Sequence, residues 1–148
     1  MMQLAYILLA VLAGMLIPVQ TGFNTQLGRA VGSAWSASAI VMIVASATML
    51  LLAILARAPV PSVGQMQAAT PTAWLGGALG GIYVLALILL APRLGAANLV
   101  VFVVIGQLVA ALAIDHFGLL GFPLHTLTIG RLAGVALLVG GAALVRLT

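Results

Sequence analysis

Five apolar stretches, each about 20 residues long and parted by short polar or Pro/Gly-rich breaks, decide the solvent of this chain before any single residue is weighed. A bilayer core about 30 Å thick takes about 20 residues of helix to cross. The pattern predicts five crossings, near 4–27, 36–55, 73–91, 96–115 and 128–145. With 65% hydrophobic and 4% charged residues among 148, the chain has too little polar surface to wrap a soluble core. The expected fold class is an all-α integral membrane protein, a single five-span domain over 1–148 with no soluble module. Its N-terminus has no positive n-region and no convincing cleavage site, so the first apolar run reads as a retained span.

The charge pattern removes several function classes. The formal charge of +4 comes from scattered arginines and a near absence of acids, with no basic patch, so no nucleic-acid partner is expected. There is no cysteine, which excludes disulfides and thiolate metal sites. Two histidines and one acid at this spacing do not form a persuasive metal site. Nor is there a nucleophile-base-orienter group or a cofactor loop, so neither an enzyme nor a cofactor is expected.

Five spans put the termini on opposite sides, here called A for the N-terminal side and B for the other. Arg57 and Arg131 then fall on A, and Arg29, Arg93 and Arg146 on B. Two against three gives the positive-inside rule hardly any bias. Either B is cytoplasmic by a margin of one arginine, or the chain inserts both ways and pairs with an inverted copy of itself. The second arrangement would make a ten-helix inverted-repeat transporter of which this chain is half, since exchanging the conformations of two such halves alternates access. A lone five-span unit has little volume to enclose a polar route.

Small and helix-breaking residues mark the packing. Pro18 lies between Gly14 and Gly22 in span 1 and predicts a kink. Gly76, Gly77, Gly80 and Gly81 form two overlapping G-x-x-x-G pairs in span 3, and Gly130 and Gly134 form another in span 5; both faces suit close helix approach in a dimer. Segment 58–72, with three prolines and no charge, reads as a loop.

Polar side chains inside spans normally face a partner or a water-filled cavity. Gln107 lies about 15 Å into span 4, near the midplane, and fits either an interhelical hydrogen-bond staple or the lining of a substrate site. Asp115, at about 27 Å by the same arithmetic, lies close to the A-side interface. It suits either a substrate or coupling role or an ion pair with Arg57 or Arg131. His116 beside it is able to titrate near neutrality or to anchor the interface; His125, in the following loop, receives no role. Gln20 and Asn24 sit one turn apart beyond Pro18, either lining a path or satisfying the backbone that proline disrupts. In an inverted pair, Asp115 of one copy reaches the depth of Asn24 of the other, and the two Gln107 residues stay level. Trp35 and Trp74 read as interfacial anchors.

These residues also carry a resemblance. Gln20-Thr-Gly-Phe-Asn-Thr-Gln-Leu-Gly28, Pro92-Arg-Leu-Gly95, Gly106-Gln107 and Ile114-Asp-His-Phe-Gly-Leu-Leu-Gly121 resemble, in order and spacing, the motifs of the YdcZ-type family of small bacterial membrane proteins, grouped with the drug/metabolite transporter superfamily. The resemblance implies a five-helix half-unit in the bacterial inner membrane. It carries over Gln20, Asn24, Gln107, Asp115 and His116 as motif positions without assigning their roles. Small multidrug exporters of that superfamily use a glutamate in the first helix, and this chain has no glutamate.

Residues and resemblance together predict a secondary transporter subunit in the lipid bilayer, acting as an antiparallel homodimer on a small polar metabolite or drug. The alternatives are a passive ion or solute channel and a non-transporting structural subunit of a paralogue complex.

Overall fold

Residues 2–147 are described by a computed structural model, and among them the chain is all helix with no strand. Five helical runs are long and apolar enough to cross a membrane: Met2–Val31, Ala34–Leu55, Pro71–Leu94, Ala96–Phe117 and Ile129–Arg146.

Helix α1 (Met2–Val31) runs unbroken through Pro18. Proline has no N–H to give the carbonyl one turn back, and the polar groups that follow bond locally. The Thr21 hydroxyl donates to the Ile17 carbonyl at 2.8 Å, and the Thr25 hydroxyl to the Thr21 carbonyl at 2.8 Å. Helix α2 (Ala34–Leu55) begins under the Ser33 hydroxyl, which accepts from the Ser36 N–H at 3.2 Å. It ends with Arg57 at φ 51, where the Arg57 and Ala58 amides donate back to the Ile54 and Ala53 carbonyls in a Schellman closure.

Segment 58–72 is more ordered than the loop its composition suggests. It holds a short helix α3 (Val63–Ala68), opened by a reciprocal capping box between Ser62 and Gln65, and a 3₁₀ turn at Pro71–Trp74. Helix α4 (Leu75–Leu94) extends past Pro92, three residues beyond the span boundary expected at 91, and stops at Gly95, whose φ of 74 only glycine adopts cheaply. Helix α5 (Ala96–Phe117) closes on Gly118 at φ 60, and after a 3₁₀ turn (Leu119–Gly121) α6 (Ile129–Leu147) completes the chain.

The chain forms two compact units, one ending at Arg93 and one starting at Leu94. In the first, α1 packs on α2, and Ala37, Val84 and Ile88 form a buried cluster joining α2 to α4. Gly28 brings α1 close to α4, because a Cβ there would lie 3.0 Å from Ile88 Cγ2. In the second unit α6 packs back along α5.

Within each unit, the glycines of the G-x-x-x-G pairs face open space among the described residues. A Cβ at Gly76, Gly77, Gly80, Gly81 or Gly134 meets nothing within 4 Å, and one at Gly130 only the Thr128 hydroxyl at 3.9 Å. Large apolar side chains stand exposed along every span, as a lipid-facing surface requires.

Candidate functional site

The second unit holds an open groove of about 560 Å³ between α5 and α6. Its walls are apolar, with Val104, Leu108, Leu112 and Leu138, and its polar end is Asp115 with Arg131. Arg131 Nη1 donates to Asp115 Oδ2 at 3.2 Å. The two side chains are 30% and 35% exposed, so the pair remains reachable from the groove. Of the two arginines that fit by sequence, the carboxylate takes Arg131.

A loop clasps this pair. The His125 amide donates to the Asp115 carbonyl at 2.8 Å, its carbonyl accepts from Arg131 Nη1 at 3.4 Å, and its Nδ1 lies 4.0 Å from Asp115 Oδ2. The Leu127 amide donates to His116 Nδ1 at 3.2 Å, which puts the ring proton of neutral His116 on Nε2. The His116 ring also meets Phe117 edge-on, with centroids 4.8 Å apart. The Thr128 hydroxyl accepts from the Arg131 amide at 3.3 Å, fixing where α6 starts. Sequence reasoning missed His125 and gave Arg131 only a pairing option. Their roles depend on how an irregular connection folds back, which no periodicity encodes.

Gln107 lies two turns before Asp115 on α5 and is exposed, and its side chain has no hydrogen bond among the described residues. It neighbours Val104 and Ala111, three and four residues away, and both line the groove. Gln107 itself is not among the residues that line the groove.

The first unit holds its own groove, about 340 Å³ between α1 and α2, lined by Gln20, Phe23, Asn24, Leu27, Val41 and Val44 among others. Gln20 is exposed; Asn24 is buried at 9% exposure, and its amide has no partner among the described hydrogen bonds. Nearby in the same unit, the Tyr83 hydroxyl is buried without a partner while its ring packs on the cluster that also touches Leu27 and Val41. The structure thus gathers Gln20 with Asn24, and Asp115 with His116, His125 and Arg131. No group of three or more metal-ligating side chains occurs among the described residues.

Membrane-length helices with polar groups set into grooves describe a membrane protein, and comparison with known families says which kind. The family model described as "Putative inner membrane exporter, YdcZ" matches residues 5–144. The chain belongs to the YdcZ family. Membership spans both units and all five crossings, and it places the protein in the inner membrane as a multi-pass exporter-family member rather than an enzyme. No curated protein and no solved structure matches the chain.

Proposed function

We propose that this YdcZ-family protein exports a small polar solute by alternating access, as an antiparallel homodimer in which two five-helix copies form the halves of a ten-helix inverted repeat. The solute route draws on Gln107 near the midplane, on Gln20 and Asn24, and on Asp115 with His116 toward the interface. Gly76, Gly77, Gly80, Gly81, Gly130 and Gly134 supply the faces on which helices of the two copies meet.

The observation that carries this proposal is Gln107: its side-chain amide is exposed and has no hydrogen bond among the described residues, at a position that counting along the span puts near mid-bilayer. A polar side chain left in hydrocarbon is costly, and a second copy or a hydrated route supplies its partner. Two further facts support the inverted arrangement. The arginines divide two to three between the faces, and the glycine faces have open space above them. Inversion also keeps the two Gln107 residues level, as a site shared by two halves requires.

Counterflow in proteoliposomes tests the function. Vesicles preloaded with a mixture of unlabelled polar metabolites should accumulate an external tracer of the transported one. Rapid conductance without counterflow would instead describe a channel, and the carrier proposal would be abandoned.

A further inference from the structure

We infer that the groove between α5 and α6 binds an amphipathic zwitterion, with its ammonium on Asp115, its anionic group on Arg131, and its apolar tail along Val104, Leu108, Leu112 and Leu138. As a cargo site it rests on the export proposal. As a binding site it is built by two helices of one chain and needs no inverted partner.

Three observations converge on this groove. The first is the geometry of the ion pair. Arginine commonly grips a carboxylate with two parallel N–H donors, but here one nitrogen, Nη1, makes the whole contact and shares it with the His125 carbonyl. Asp115 Oδ1 and Arg131 Nε and Nη2 have no partner among the described hydrogen bonds. A donor-seeking oxygen and two acceptor-seeking nitrogens therefore lie side by side at the end of an apolar groove, on side chains that are only partly covered.

The second is where each charge sits on its helix. Asp115 is in the last turn of α5, where the backbone dipole is already negative, and Arg131 is in the first turn of α6, where it is positive. Both charges oppose their helices. The reversed placement would suit the helices better, so helix stability does not account for this arrangement. Two opposite poles fixed a few ångströms apart do suit a ligand that carries both.

The third is the groove itself. Its volume of about 560 Å³ is bounded mostly by aliphatic side chains, and at Gly134 the wall has no side chain at all, since a Cβ there would meet nothing within 4 Å. A singly charged ligand would compete with one member of the pair and bring uncompensated charge into a medium that screens poorly. A zwitterion adds no net charge and engages the open valences of both partners. Asp115 lies near the A-side interface while the apolar walls run back along α5, so the ligand's poles sit at headgroup level and its tail points into the bilayer. Two sources offer that chemistry: a free solute such as an amino acid with an aliphatic side chain, or the headgroup of a phosphatidylethanolamine.

Thermal unfolding of the full chain separates them. In maltoside detergent, L-leucine should raise the unfolding temperature saturably, whereas leucinamide, 4-methylpentanoate and glycine, which lack one pole or the tail, should not at equal concentration. If the occupant is a lipid, L-leucine has no effect and nanodiscs of phosphatidylethanolamine stabilise the protein over those of phosphatidylglycerol. Either result supports the site. Gly134→Val fills the groove without touching the ion pair, so it should weaken the stabilising ligand's binding about tenfold or more, read as the ligand-induced shift from the variant's own unliganded unfolding temperature. The inference is overturned if neither L-leucine nor phosphatidylethanolamine stabilises the protein, if the singly charged analogues match L-leucine, or if Gly134→Val leaves the ligand shift intact. Zwitterion binding by a protein whose copies all lie the same way up would refute only the antiparallel dimer. Counterflow of other solutes without zwitterion binding would refute only this site.

Discussion

Asp115 and Arg131 pair at 3.2 Å across α5 and α6, each at the helix end where its own charge is disfavoured by the backbone. The ion pair offsets the two unfavourable placements, and the loop from Gly118 to Thr128 is drawn over it by His125.

Neutralising one partner should therefore cost more than neutralising both. Arg131→Gln leaves Asp115 alone at the negative end of α5 and should destabilise the protein by about 1 kcal/mol. Asp115→Asn with Arg131→Gln should recover most of that loss. Exchanging the charges, Asp115→Arg with Arg131→Asp, aligns both with their helices and should gain about 0.5 kcal/mol per helix end over the double-neutral variant. Thermal unfolding in one detergent measures all of these, with Asp115→Asn alone completing the cycle; a double-neutral loss equal to the sum of the two single losses would mean that the pair carries no coupling.

Gly28 and Gly80 should respond in opposite ways to added bulk. At Gly28 the incoming Cβ meets the branched Ile88 side chain at 3.0 Å, so Gly28→Val should destabilise the fold by about 1–3 kcal/mol, with partial recovery when Ile88→Ala is added. At Gly80 the space is open, so Gly80→Val should leave the fold of one chain intact and weaken association between copies, read by native mass or light scattering.

The Tyr83 hydroxyl is buried without a partner, a state that costs free energy. Tyr83→Phe should raise the unfolding temperature, by about 1 kcal/mol of stability. A fall would show that a second chain or a water bonds this hydroxyl in the membrane.

Gln107→Leu removes a side chain that has no hydrogen bond among the described residues. The variant should fold normally and lose counterflow. A variant that fails to fold would instead make Gln107 a packing staple.

The spans were legible because crossing a bilayer demands length and hydropathy, and both can be read by counting. Their ends were less so. Pro92 looked like a stop, yet α4 continues through it to Leu94 at the loss of one backbone hydrogen bond, and Gly95, with its positive φ, is what ends α4. Segment 58–72 reads as loop by its prolines, although Ser62-Val-Gly-Gln65 carries the Ser-x-x-Gln spacing of a capping box and signals the short helix α3. Within the candidate site, Asp115 attracted notice because a lone acid in an apolar chain is conspicuous. His125 did not, because its contacts depend on the path of an irregular loop. Gly28 was visible within a motif, but its contact with Ile88 joins helices remote in sequence.

The central claim is that two copies lie in opposite orientations within one dimer, and two-colour thiol labelling tests it most directly because the chain has no cysteine of its own. Val60→Cys places a thiol at a loop position that is 91% exposed. Spheroplasts are treated with one membrane-impermeant reagent, then permeabilised and treated with a second of different mass, and the dimers are isolated intact. Each dimer should carry one label of each kind; dimers carrying two copies of the same label would contradict the antiparallel arrangement.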